Sequence, residues 1–426
     1  MSEAQWLSPT SIEEWWSTTS QKGVKRPYSA DTVASLRDVF PESHHSNAMA
    51  TKLRQRLGKS QKDHLISLLS QSGSDILYVA EDASAEHSNS TISKRVSSIY
   101  RSQLHQARTA RQSQDGDGNS TLIPIIADAS IDSGDGQHIA VMKLVKNLVQ
   151  SGVSGFHLDD LVPGTKRHSC NVLVPTNEYL KRLVAAKLQL DIMGSEVVSI
   201  AKTDAETATH ISSTIDYRDR PFILGATVDL PHHYRHAEGN SGKDEWKREA
   251  KLKTLDEAFQ SDHPGLYERF IEQTKNLNAS EALLVAVKLS PSFYWNYESP
   301  RTSEGWYAYK GGIEAALTRS SVVADIVDVI WNCAHTFDVI KAETFARGIQ
   351  NVHPGKWLAY SAAEQNDQDQ LKEQLASLGY VWLYLPESKG STGSFAHHAD
   401  GTNSEWWWKT IGKVADDAAS TISRRK

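Results

Sequence analysis

Short apolar runs of strand length recur along the chain, at residues 76–80, 122–127, 155–158, 197–201, 283–289, 327–331, 357–360 and 380–385. Between most of them lie stretches in which apolar residues return with helical period, beginning at His138, Asn177 and Asp367 and each closing at a glycine suited to a helix end. Strand alternating with helix predicts a parallel sheet. Eight such units predict an α/β chain folded as a (β/α)8 TIM-type barrel. Such a barrel uses roughly 250 residues, so the excess is assigned to three places. We expect an N-terminal helical segment over 1–70, the barrel over 71–390 with a helical insertion at about 231–280, and a C-terminal helical tail over 391–426.

Two of the runs end in acids. LIPIIADASIDSGDGQ, from Leu122, stops at Asp128, and GFHLDDLVPGTKRHSC, from Gly155, stops at Asp159 and Asp160, each before a glycine-containing loop. Carboxylates at strand ends stand where a parallel barrel places its chemistry. Metal contact is the functional reading of Asp128 and of one of Asp159 and Asp160, with the other carboxylate capping the following turn.

Composition narrows the partners. With 39% hydrophobic and 23% charged residues the chain is an ordinary globular sequence. A net charge of -6 and the lack of a long basic run argue against nucleic acid. No apolar run of spanning length and no leader pattern is seen, so no membrane partner is expected. Two cysteines, Cys170 and Cys333, fit a reducing compartment, and the expected location is cytoplasmic. Cys333 reads as a packed strand-end residue.

A series of words then makes a resemblance specific. IEEWW from Ile12, KRPYSADTV from Lys25, PIIADA from Pro124, PGTKR from Pro163, NVLVPTNEYLKRLVAAKLQLDIMG from Asn171 and IAKTDAETATHISSTIDYRDRPFILG from Ile200 appear in order. ESPRTSEGWYAYKGG from Glu298, DVIWN from Asp328 and WLAY from Trp357 continue it. The chain resembles the isocitrate lyase family of the isocitrate lyase/phosphoenolpyruvate mutase superfamily, in a divergent form of its fungal branch. The resemblance implies a lyase that cleaves a C–C bond in an α-oxygenated carboxylic acid with Mg²⁺ (or Mn²⁺) held by carboxylates and waters. Asp128 matches the direct metal ligand, Asp159 the acid after the next strand, and Asp132 the second member of an Asp-x-Asp pair if the loop carries an insertion. Lys202, Arg301, Glu298 and Ser361 fall at substrate-binding positions. The catalytic loop corresponds to Lys166, Arg167, His168 and Cys170. A small carboxylic acid as substrate and a homo-oligomer, tetramer or dimer, are implied as well.

Several of the family's words are changed. The Ser-Gly-Trp after the first strand is Ala80-Glu81-Asp82, and the loop KKCGH reads Lys166-Arg167-His168-Ser169-Cys170, with His168 in the place of the catalytic Cys. The Arg of ARTD is Lys202, which keeps the charge and loses the planar two-point grip. NxSPS becomes Ser361-Ala362-Ala363-Glu364-Gln365, placing an acid where a succinate-type dianion is received. The expected function is therefore cleavage of an isocitrate or methylisocitrate analogue in an altered pocket. The competing expectation is a non-catalytic homologue with a structural or regulatory role.

Overall fold

In the computed structural model the described residues are 3–70, 75–80, 90–112, 122–129, 138–165, 171–364 and 368–384. Eight parallel strands close into a barrel. In chain order they are β1 (Ser67–Ser70), β2 (Ile76–Val79), β3 (Ile125–Asp128), β4 (Gly155–Asp159), β5 (Val198–Thr203), β6 (Val329–Thr336), β7 (Trp357–Glu364) and β8 (Tyr380–Tyr384). Each strand pairs with its neighbours in sequence, and β1 closes on β8 through Ser67 beside Trp382 and Leu68 beside Leu383. The (β/α)8 expectation holds.

Strands covered on both faces read as nearly continuous apolar runs, because neither side meets water. In β2, β3, β4 and β5 every residue is buried. The outer faces are covered by the helices Ser90–Gln112, His138–Ser151, Thr176–Ile192, Ile313–Val323, Val339–Val352 and Gln368–Ser377, one after each strand from β2 to β7. The link from β1 to β2 is only residues 71–75, whereas a parallel crossover ordinarily takes a dozen residues or more.

One expected strand is a helix. The run at 283–289 lies in the helix Ala279–Leu289, and the eighth strand is instead β1, within the segment read as helical. The cause is local. Asn278 caps the helix, its side chain accepting from the Glu281 amide while the Glu281 carboxylate accepts from the Asn278 amide. This reciprocal cap satisfies two donors that a helix start otherwise leaves open. Ala279, Ala282 and Ala286 then face inward at helical spacing while Leu284 and Val287 stay exposed. SLLS, by contrast, is too short to announce itself.

The helix His45–Asp63 closes the N-terminal mouth of the barrel. Its Leu53 and Leu57 join the interior core of Ile76, Ile126, Val198, Val329 and Trp382. Its polar face grips residues just before the strands: Arg54 donates to Asp328 at 2.8 Å and to the Glu196 carbonyl at 3.2 Å, Lys52 donates to the Leu122 carbonyl at 2.5 Å, and Arg56 pairs with Asp75. That end of the bore is thereby plugged.

Between β5 and β6 the chain forms a second layer of structure. It carries the helices Gly239–Ala250, Leu255–Asp262, Tyr267–Thr274 and Ala279–Leu289 and a two-stranded sheet of Leu224–Gly225 with Lys253–Thr254. A three-stranded sheet joins Val172–Leu173, His210–Ile211 and Tyr307–Ala308. The tail expected over 391–426 lies outside the described residues.

Candidate active site

Alternation along the strands decides which acids enter the bore. Register places Asp128 beside His157, and Asp159 beside Lys202, on inward-facing positions of β3, β4 and β5. One step on in each strand order, Cys333 stands beside Ser361 and Ser361 beside Tyr384. Asp128, Asp159, Lys202 and Ser361 are all buried, at the C-terminal end of the barrel. Four of the residues singled out in the sequence thus meet at one mouth.

Asp160 points the other way. It accepts from the Thr203 hydroxyl at 2.8 Å, the Asp204 amide at 3.0 Å and Arg319 Nε at 2.9 Å. Burial pushes its carboxyl above the usual range, with Arg319 opposing the shift. The pleat separates the two acids: Asp159 faces the bore and Asp160 fixes the backbone behind it.

The floor of the mouth is aromatic. Tyr78 Oη lies 2.9 Å from His157 Nε2 and 3.3 Å from Asp128 Oδ2, and His157 Nε2 is 3.5 Å from Asp128 Oδ1. The Tyr78 ring stacks on His157 with centroids 5.8 Å apart and meets Tyr384 edge-on at 4.8 Å. Trp331 lies edge-on to His157 at 5.0 Å and to Trp382 at 5.9 Å. Burial drives the Tyr78 phenol well above its ordinary pKa, and the Asp128 charge adds to the shift. Tyr78 therefore remains a neutral hydrogen-bond donor at Asp128. Sequence reading passed over Tyr78 and His157, although His157 stands two residues before Asp159 and so shares its face.

On the opposite side, Lys202 Nζ donates to Asp204 Oδ2 at 2.6 Å, both side chains buried. Cys333, read as a packing residue, faces this pair. Its thiol is raised in pKa by burial, with the Lys202 charge opposing the shift and the Asp204 charge adding to it. Cys333 is in register with Ser361 on the next strand. The cysteine residue as a whole is half-buried.

Arg301 and Glu298 are joined to each other in the layer between β5 and β6. Arg301 Nη1 donates to Glu298 Oε2 at 2.7 Å, its Nε donates to the Gly305 carbonyl at 3.1 Å, and its guanidinium lies over the Tyr307 ring at 4.4 Å. Lys166, Arg167, His168 and Cys170, like Asp132, Glu81 and Asp82, lie outside the described residues. The anchors of the 166–170 loop are described: Thr165 donates to the Val162 carbonyl at 2.8 Å, and Asn171 Nδ2 donates to Thr207, just beyond β5, at 3.1 Å. Among the described residues no three His, Cys, Asp or Glu side chains form a ready metal cluster. Likewise, no helix among them is long and apolar enough to cross a membrane.

Comparison with known proteins places the sequence in a family. The sequence matches the model of the isocitrate lyase family over residues 82–398. It is 30% identical to an isocitrate lyase of Oryza sativa subsp. japonica, across 88% of this chain and 78% of that protein. It is 30% identical to the mitochondrial 2-methylisocitrate lyase of Schizosaccharomyces pombe, across 88% and 83%. The mitochondrial 2-methylisocitrate lyase of Hypocrea atroviridis is 31% identical across 82% of this chain and 72% of its own length. Matched by the family model over three-quarters of its length, this chain belongs to the isocitrate lyase family.

Proposed function

We propose that this protein is a Mg²⁺-dependent carbon–carbon lyase acting on an α-oxygenated carboxylic acid, an isocitrate or methylisocitrate analogue, in a remodelled pocket. The observation that carries the reading is the meeting of Asp128 and Asp159 with Lys202 on inward positions of three consecutive strands. The donor chemistry fits the ion: carboxylate oxygens suit a hard cation that keeps part of its water shell, so two or three protein ligands suffice. Asp128 and Asp159 would hold it, with Asp132 as the third carboxylate. When bound, Mg²⁺ supplies positive charge that stabilises the enolate-like oxygen as the C–C bond breaks.

The chain's own groups divide the remaining work. Tyr78, as a neutral phenol, fixes the Asp128 carboxylate by donating to it, and His157 buttresses both. Lys202, oriented by Asp204, faces the carboxylate of the acid. The aromatic floor excludes water from below. On the loop after β4, His168 would return the proton to the carbon fragment, flanked by Lys166, Arg167 and Cys170. Arg301 would take a substrate carboxylate only by exchanging it for Glu298.

Asp128→Ala tests the reading. Calorimetric Mg²⁺ binding is expected in the unaltered protein and is expected to vanish in the variant. Equal affinity in both proteins would place the ion elsewhere. Absence of binding in both, together with no turnover of carboxylic acids, would favour the non-catalytic role.

A further inference from the structure

Behind the mouth, on the outer face of the barrel wall, β6 and β7 carry two buried polar side chains that the proposed reaction does not use. Asn332 and Tyr360 stand in register there, each one residue before the register pair Cys333 and Ser361 that lies at the mouth. Both are fully buried.

Asn332 is held from one side. Its Nδ2 donates to Glu206 Oε2 at 3.0 Å, and Lys341, in the first turn of the helix Val339–Val352, donates to Glu206 Oε1 at 3.2 Å. A carboxylate only accepts, so this bond fixes which end of the carboxamide is nitrogen; turned over, it would set Oδ1 against Glu206. Oδ1 therefore faces away from Glu206, and it has no donor among the described residues. Tyr360 Oη likewise makes no hydrogen bond among them, the Asp338 amide standing near it without closing one. Burial, with the Glu206 charge adding to it, holds the phenol above its ordinary pKa, so the hydroxyl keeps its proton. Its ring is fixed edge-on against Phe337 at 5.8 Å and Tyr380 at 5.6 Å. Buried polar groups in folded proteins nearly always have a partner, and ordered water supplies it where the protein does not.

We infer that one water molecule is bound behind the mouth, donating to Asn332 Oδ1 and accepting from Tyr360 Oη, and that Glu206, Asn332, this water and Tyr360 form a brace that positions the ends of β6 and β7. The brace lies one residue from Cys333 and Ser361 on those strands, and Glu206 follows by two residues the Asp204 that holds Lys202. Glu206, Asn332 and Tyr360 are thus positioning residues. Their bearing on the reaction rests on the proposed roles of Lys202 and Ser361, whereas the water and the brace do not.

Tyr360→Phe in the full-length protein removes one hydroxyl and keeps the ring. Its loss is expected to lower the urea midpoint and to speed amide hydrogen exchange at the ends of β6 and β7 by about fivefold to tenfold, with β3 and β4 unchanged. An orphan hydroxyl predicts the reverse, because deleting an unmatched buried polar group relieves its desolvation cost. The local pattern separates positioning from a general loss of stability, which would speed exchange in all the strands alike. High-resolution diffraction from the unaltered protein is expected to show a water within hydrogen-bond distance of both Tyr360 Oη and Asn332 Oδ1, and serves if the variant does not fold. A raised midpoint, exchange unchanged or quickened uniformly, or side chains that meet directly without a water would overturn the inference. None of these readouts involves Mg²⁺ or a substrate, so they stand or fall apart from the Asp128→Ala test of the lyase reading.

Discussion

Arg319 shows how much of the site rests on residues that never face it. Its guanidinium is fully buried and donates to Asp160 at 2.9 Å, Asp219 at 2.7 Å, the Thr176 hydroxyl at 3.1 Å and the Val174 carbonyl at 2.7 Å. Burial lowers its pKa, but Asp219 and Asp160 outweigh that and raise it above the ordinary arginine value, so the charge persists. Through Asp160 it fixes the Asp204 amide, and Asp204 in turn holds Lys202. Arg319→Met removes the cation and leaves two buried carboxylates without their partner. Loss of about 3–5 kcal/mol of stability is expected, read as a lower urea midpoint; a midpoint within experimental error of the parent would show that the network contributes no net stability.

Among elements, the helix His45–Asp63 and the start of β6 are clamped by one carboxylate. Asp328 accepts from Arg54 at 2.8 Å and from the Ser199 amide and hydroxyl at 2.8 and 2.9 Å. Burial alone would raise its pKa, yet the charges of Arg54 and Lys187 outweigh burial and hold it well below the usual carboxylate range. The unfolded chain therefore binds a proton more readily than the folded one. The resulting stabilisation is fully present above the unfolded pKa of about 4 and is lost as the pH falls below it. Asp328→Asn is expected to lower the melting temperature at pH 7 and to flatten its decline between about pH 4 and pH 2. Parallel acid limbs for the two proteins would assign the acid sensitivity to other carboxylates.

At the scale of the whole molecule, the proposal of a remodelled pocket on this barrel makes its own prediction. On the resemblance drawn from the sequence, Ala80-Glu81-Asp82, Lys166-Arg167-His168 and Ser361 to Gln365 would each replace a family word, and losing even one placed catalytic donor costs about a hundredfold or more. Formation of glyoxylate from isocitrate is therefore expected to fall far below an ordinary rate, on the order of 10 per second. A glyoxylate assay at saturating isocitrate and Mg²⁺ measures it, and turnover at that ordinary rate would contradict a remodelled pocket.

Sequence alone determined the fold class, the family and the acids at the ends of β3 and β4, because buried parallel strands write themselves as apolar runs and their ends as abrupt polarity changes. It misread the run at 283–289 because periodicity over so few residues does not separate a buried strand from a helix, and the deciding cap at Asn278 lies outside the run. Local pattern also carried the alternation that separates Asp159 from Asp160, once β4 had a fixed boundary. What only the tertiary structure decided is which strands lie side by side and in what register. That brought Tyr78 and His157 to Asp128, Asp204 and Cys333 to Lys202, and Ser361 to Cys333, Lys202 and Cys333 lying 131 residues apart (333 − 202). Register depends on closure of the barrel as a whole, a long-range condition that no window of sequence contains.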